Sequence, residues 1–243
     1  MIRTKAIVLN RFPHKENDAL IYFYTLDFGK LVLTARGARK QSSKLVAHLE
    51  PFNFVDLMMI KNKNGVSVGS VISQNSFLNL KNDYNSLLLS GKVFSFFNQH
   101  VKEGQADFDL FIFLNNFLKT INDSIESVKS KSLKDLDFLG DILKFKLLDL
   151  LGYSYQTSRC VECGCDKNLN FISLNRGGVV CDSCTNKETI NRSLDKINHL
   201  KINKDLLSLK EFVKKNDFSF LLDLKTDKNF QNFIKRKINY LNF

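Results

Sequence analysis

Five cysteines lie between residues 160 and 184 of this 243-residue chain, as Cys160-Val-Glu-Cys163-Gly164-Cys165 and then Cys181-Asp-Ser-Cys184. Two Cys-x-x-Cys pairs separated by seventeen residues have the spacing by which facing knuckles present four thiolates to one tetrahedral Zn²⁺. Cys160, Cys163, Cys181 and Cys184 form the symmetric set, with Gly164 beside the first knuckle relieving the turn. Cys165 is a fifth thiol that could replace Cys163 or stay free. Four thiolates leave no open position for water, so one structural zinc is expected, with a binding free energy of roughly 10–16 kcal/mol. Disulfides are the rival reading and need an oxidising compartment. The opening Met1-Ile-Arg-Thr-Lys5 lacks the charged and apolar regions of a secretory leader, which favours zinc.

A second stretch suits phosphate rather than metal. From Phe28 to Leu49 there are five basic residues, Lys30, Arg36, Arg39, Lys40 and Lys44, and no acidic one. Cations of this kind neutralise phosphates, and Gly37, Ser42 and Ser43 are expected to keep the backbone mobile and able to approach them. A solvated loop is the bland alternative. Tyr22 and Tyr24 alternate with Ile21 and Phe23, so they share one strand face while the aliphatic face turns inward. Aromatics so placed could stack on bases, each contributing on the order of 1–3 kcal/mol, or could serve as ordinary packing.

The elements that must hold these residues follow from periodicity. Residues 3 to 75 read as five short strands: Lys5–Leu9, Ala19–Thr25, Lys30–Ala35, Phe54–Ile60 and Val66–Ile72. Their β-branched and aromatic content, with turn signals at Asp27-Phe28-Gly29 and Asn62-Lys63-Asn64-Gly65, predicts a small antiparallel barrel. Five strands with a long connection after the third predict an OB-fold. Apolar residues then recur at helical spacing from Leu87 to Val101, from Phe108 to Ile121, and from Ser132 to Leu151, the last ending at Gly152 as a C-cap. Around the cysteines, Leu169–Leu174 and Val179-Val180 flank Asn175-Arg176-Gly177-Gly178, which predicts a metal-clipped hairpin. Helical spacing returns over Ser193–Lys201, Asp205–Lys214 and Asp227–Leu241, the last carrying Lys235-Arg236-Lys237. The expected architecture is α+β: an N-terminal five-stranded OB-fold barrel over residues 1–75, then an α-helical domain over 76–243 interrupted by a zinc ribbon at about 158–188.

The net charge is +11 and the isoelectric point about 9.4, which suggests an anionic partner, nucleic acid above all. Lysine, asparagine and phenylalanine are abundant, as an A+T-rich genome would dictate for any function. Placement separates the two explanations. Residues 1–75 carry 11 basic and 5 acidic groups and residues 193–243 carry 11 and 6, whereas residues 76–158 carry 9 and 10. A uniform bias would not leave the middle acidic, so an electropositive surface is expected. No apolar run approaches the length of a membrane span, so a soluble cytoplasmic protein is expected.

Enzyme signatures are absent. The sequence holds no glycine loop ending in Gly-Lys-Ser or Gly-Lys-Thr, no His-Glu-x-x-His and no Gly-x-Ser-x-Gly. His14, His48, His100 and His199 are scattered, and Asp107 with Asp109 suits a helix N-terminus better than a carboxylate pair. A carboxylate- and metal-dependent nucleic-acid-processing enzyme remains the rival from the enzyme class, and a protein-interaction scaffold the rival from the binding class.

With these parts in order, the chain resembles the RecO family of bacterial recombination mediators, DNA repair proteins of the RecF pathway. The resemblance spans essentially the full length. It is most specific at Glu16-Asn17-Asp18, Phe28-Gly29-Lys30-Leu31, Ala35-Arg36-Gly37-Ala38-Arg39-Lys40 with Ser43-Lys44-Leu45, Leu49-Glu50-Pro51-Phe52, and Leu147-Leu148-Asp149-Leu150-Leu151-Gly152-Tyr153 ahead of the first cysteine pair. It implies a non-enzymatic, nucleoid-associated protein that binds single- and double-stranded DNA and anneals complementary strands. The resemblance also implies binding to the C-terminal tail of single-stranded DNA-binding protein and joint action with RecR so that RecA can load. Carried over by residue, it places Lys30, Arg36, Arg39, Lys40 and Lys44 on the DNA surface of the OB-fold and zinc on Cys160, Cys163, Cys181 and Cys184. Cys165 matches no position of the family pattern.

Overall fold

The computed structural model describes residues 1–62, 65–173, 175–190, 199–201, 218, 231, 234–236 and 238. The chain divides into two compact units, Met1–Leu136 and Asp137–Phe243.

The first unit opens with a closed five-stranded barrel. Its strands are β1 (Ile2–His14), β2 (Asp18–Thr25), β3 (Gly29–Ala35), β4 (Phe54–Asn62) and β5 (Gly65–Asn75), paired around the barrel in the order β1-β2-β3-β5-β4. All pairings are antiparallel except β3 with β5, which closes the OB-fold. The period-2 pattern puts Val8, Ile21, Phe23, Leu33, Val55, Leu57, Val68 and Val71 in one apolar core. The long connection after β3 carries Ala38 and Leu49 into that core, both fully buried.

Five helices follow: α1 (Leu78–Asn82), α2 (Tyr84–His100), α3 (Phe108–Asp123), α4 (Ile125–Lys129) and α5 (Leu133–Leu150). Asp83 and Asp107 cap α2 and α3, accepting from the backbone N–H of Ser86 at 2.8 Å and of Leu110 at 3.0 Å. Asp107 is thus a helix cap, as its position suggested. Ser132 and Asp135 form a reciprocal capping box at the start of α5. The Ser132 hydroxyl, and after it the Ser132 N–H, holds the Asp135 carboxyl below its usual range. The helix ends in a Schellman motif, with Gly152 at φ +89° and Tyr153 N–H donating to the Leu148 carbonyl at 2.9 Å.

Five phenylalanines join barrel to helices within this unit. Tyr24 meets Phe97 edge-to-face at 4.9 Å, Phe52 meets Phe94 at 4.8 Å, and Phe54 tilts against Phe111 at 6.1 Å. A buried aromatic of this size stabilises by roughly 1.5–3 kcal/mol, so the contacts are a substantial part of the unit's stability.

In the second unit, β6 (Phe171–Ser173) and β7 (Gly178–Val180) form the expected hairpin, with Ile172 opposite Val179. After β7 comes α6 (Asp182–Ile190), and then β8 (His199–Lys201), which pairs antiparallel with the other edge of β6. Helical spacing predicted a helix over Ser193–Lys201; its last three residues are instead strand. A three-residue run satisfies either period, and the unpaired edge of β6 decides in favour of strand. The helix expected over Asp205–Lys214 lies outside the described residues. Of that expected over Asp227–Leu241, Gln231, Ile234, Lys235, Arg236 and Ile238 are helical, with both isoleucines buried and Lys235 and Arg236 exposed.

Candidate nucleic-acid interface and metal centre

The structure divides the residues expected to meet nucleic acid into two groups. Arg36, Arg39, Lys40 and Lys44 are exposed on the connection between β3 and β4. The first part of that connection is anchored to the β1–β2 turn. Gly37 N–H donates to Asp18 Oδ1 at 2.8 Å, and Arg39 N–H donates to the Asn17 carbonyl at 2.9 Å. Arg39 Nη1 reaches the carbonyls of Lys15 and Glu16 at 3.1 and 3.2 Å. Arg39 therefore ties the basic loop to the β1–β2 turn, while Arg36, Lys40 and Lys44 face solvent. The turn brings exposed Lys15 alongside them, a cation that sequence spacing did not single out.

Lys30 and Tyr24 belong to the second group, and their placement on a DNA surface is corrected by burial. Lys30 is 8% exposed, and its Nζ donates to the carbonyls of Asn98 at 2.6 Å and Val101 at 3.2 Å. These belong to the C-terminal end of α2, where orphan carbonyls and the helix dipole attract a cation. Burial lowers the Lys30 pKa, with Glu103 opposing. The Lys30 carbonyl accepts from Gly104 N–H at 3.0 Å, so the start of β3 is stitched to the segment between α2 and α3.

Tyr24 does point away from the barrel core, as alternation requires, but α2 covers it completely. Burial, then the nearby Asp107 carboxylate, pushes its phenol up to about 12. The folded pKa is raised above the unfolded value near 10, so this contribution is intact below pH 10 and lost as pH rises through about 12. The first unit is expected to lose stability across that window, and Tyr24→Phe to flatten the dependence. Melting temperatures of both proteins between pH 9 and 12 check this; parallel curves would refute it.

Tyr22 is half-buried and packs edge-to-face on Phe12 at 5.5 Å. Phe12 is 45% exposed, so an aromatic pair stands on the strands flanking the turn that Arg39 grips. Phe12 was missed because it falls beyond the end expected for the first strand. Its signal was an aromatic just ahead of Pro13 at a hairpin end.

The cysteines converge. The sulfurs of Cys160, Cys163, Cys165 and Cys181 all lie within 4.8 Å of one another, and Cys163 to Cys181 is 3.6 Å. A tetrahedral ion with metal–sulfur bonds of about 2.3 Å separates its sulfurs by about 3.8 Å, so the donor set fits a metal such as zinc. Cys165 is in this group, and Cys184 packs against the same buried cluster. None of the five is in a disulfide.

Backbone geometry makes the knuckles. Gly164, at φ +73°, donates to the Cys160 carbonyl at 2.9 Å, and Cys160 N–H donates to the Cys165 carbonyl at 2.7 Å. Val161 N–H bonds to the Val179 carbonyl at 2.9 Å, and Glu162 pairs with Arg176, so the first knuckle is fixed to the hairpin. Cys181 precedes α6, and the Cys184 N–H stabilises its thiolate against the opposing effect of burial, with the neighbouring thiols adding to it, lowering its pKa to about 6. Burial acts to raise Cys160, but the N–H groups of Cys163, Cys181 and Glu162 outweigh it and leave the pKa lowered.

An OB-fold with a basic loop, a set of helices and a cysteine-clustered ribbon defines a class of multidomain proteins built around an N-terminal barrel. Family models describe that class in two parts: "Recombination protein O N terminal" matches residues 1–75 and "Recombination protein O C terminal" matches residues 82–204. The chain belongs to the RecO family of DNA repair proteins. It is 30% identical over 185 residues to the DNA repair protein RecO of Clostridium novyi, spanning 76% of this chain and 69% of that one. It is 26% identical to the RecO of Clostridium perfringens, spanning 85% and 87%, and 26% identical to that of Mesoplasma florum, spanning 82% and 73%. No helix among the described residues is long and apolar enough to cross a membrane.

Proposed function

We propose that this protein is a DNA-binding recombination mediator without catalytic turnover. It binds single- and double-stranded DNA, anneals complementary strands, and acts on DNA coated with single-stranded DNA-binding protein through that protein's C-terminal tail. With RecR it helps RecA to load. The observation that carries the reading is the anchored loop presenting Arg36, Lys40 and Lys44 to solvent beside an OB-fold barrel. Two polyanions can approach only where cations replace their counterions, and a preset loop does this without an ordering cost at each encounter. Sequence-independent contact suits the task, and the aromatic pair Phe12 and Tyr22 supplies a surface on which any base can stack. Lys30 and Tyr24 stay out of this interface. The cysteine centre would hold one zinc, whose chemistry there is to crosslink the two knuckles; a cluster of thiolates favours such a soft ion.

Annealing of complementary oligonucleotides coated with single-stranded DNA-binding protein tests the reading. Acceleration without ATP that falls with salt is expected. Replacing Arg36, Lys40 and Lys44 together by Ala should reduce the salt slope of single-strand binding by roughly 2 (about 0.7 per phosphate contact) with little change in melting temperature. Unchanged affinity in that variant would favour a scaffold, and Mg²⁺-dependent shortening of the strands would favour an enzyme.

A further inference from the structure

Five thiols surround a position where a tetrahedral ion takes four. The sulfurs of Cys160, Cys163, Cys165 and Cys181 lie within 4.8 Å of one another, and Cys184 packs against the buried cluster that holds Cys160 and Cys181. Cys165 and Cys184 reach the centre by independent routes. Gly164 turns Cys165 inward within the first knuckle, and the bond from Cys160 N–H to the Cys165 carbonyl holds it there. Cys184 is brought in by the first turn of α6, its N–H donating to the Cys181 carbonyl at 3.1 Å. Both are partly exposed, whereas Cys160 and Cys181 are buried.

We propose that Cys165 and Cys184 are alternative fourth ligands on a shared tripod of Cys160, Cys163 and Cys181. The inference rests on the metal reading above. Exchange conserves the ligand type: one thiolate leaves the ion and takes up a proton as the other thiol releases one and binds. The bonds at the metal are the same in number and kind before and after, so neither arrangement is excluded by coordination chemistry. The centre then tolerates loss of either residue and always keeps one partly exposed thiol beside the metal.

The test uses the full-length chain and zinc itself. Wild type, Cys165→Ser, Cys184→Ser, the double variant and Cys181→Ser are weighed by native mass spectrometry, and zinc affinity is measured by competition with a chromophoric chelator. Cobalt-substituted protein reports the donor set through its sulfur charge-transfer bands. Each of the two single variants is expected to keep one ion, an all-sulfur tetrahedral cobalt spectrum, and an affinity within about tenfold of wild type. The double variant and Cys181→Ser should lose more than about 100-fold. Loss in Cys184→Ser as severe as in Cys181→Ser, with Cys165→Ser neutral, would overturn the proposal in favour of one fixed set, and the mirror result would do the same. A wild-type protein that takes up no zinc would instead overturn the metal reading beneath it.

Discussion

Chelating the metal proposed for the cysteine centre, or replacing Cys160 or Cys181 by Ser, is expected to unfold the ribbon while the barrel remains folded. Among the described residues the ribbon's own packing is slight. Cys160, Val180 and Cys181 form its buried cluster, with Val161, Cys165, Leu169, Phe171 and Cys184 partly buried against it; Ile172 and Val179 are buried on the hairpin, whose strands are three residues each. A core of this size cannot offset roughly 1–2 kcal/mol of backbone entropy per ordered residue. A metal contributing on the order of 10–16 kcal/mol can. The barrel closes its sheet over fourteen buried residues and has no such dependence. Hydrogen exchange before and after chelation separates the two cases. Protection should vanish at Val161, Val179 and Cys184 and persist at Val8, Ile21 and Leu33. Persistence at the ribbon amides without metal, or equal loss in the barrel, would contradict this account.

Gly29→Ala should be among the most damaging single substitutions in the first unit. Gly29 sits at φ +64° at the head of β3, and an added Cβ would overlap the Gln105 carbonyl, with Ala106 N at 2.8 Å. Both obstacles are backbone, held by the Lys30 stitch, so neither can swing aside. Strain at the left-handed angle adds about 1 kcal/mol, and the clash brings the expected loss to about 3–5 kcal/mol. Gly37→Ala is the matched control. Its φ is +65°, but its nearest neighbour is the flexible Lys40 side chain at 3.7 Å, so only the strain, about 1 kcal/mol, is expected. Urea titration of both variants decides. Equal losses would mean that the barrel-to-helix stitch contributes nothing at this point.

Local signals in the sequence were sufficient for much of the fold. Alternation at Ile21 and Phe23 marked the inward face of β2 because a strand has period two whatever surrounds it. Gly152 marked the end of α5 because capping is settled within a few residues. The spacing of the cysteine pairs announced a thiol cluster because the metal geometry is built into the knuckles.

Periodicity reports which way a side chain faces and is silent about what covers it. Tyr24 and Lys30 left the barrel as expected, and only packing against α2 turned one into core and the other into a helix-end cap. Their partners lie about 70 residues further along the chain, beyond the reach of any local signal. Arg39 became the anchor of the basic loop through contacts to the β1–β2 turn, leaving Arg36, Lys40 and Lys44 as its outward charges. Cys165 joined the thiol cluster because Gly164 reverses the chain. The sequence alone determined the barrel, the three long helices that follow it and the presence of a thiol centre, since each depends on short-range pattern. Tertiary structure decided which cations and aromatics are available at the surface and which sulfurs meet, since those depend on contacts between segments distant in the chain.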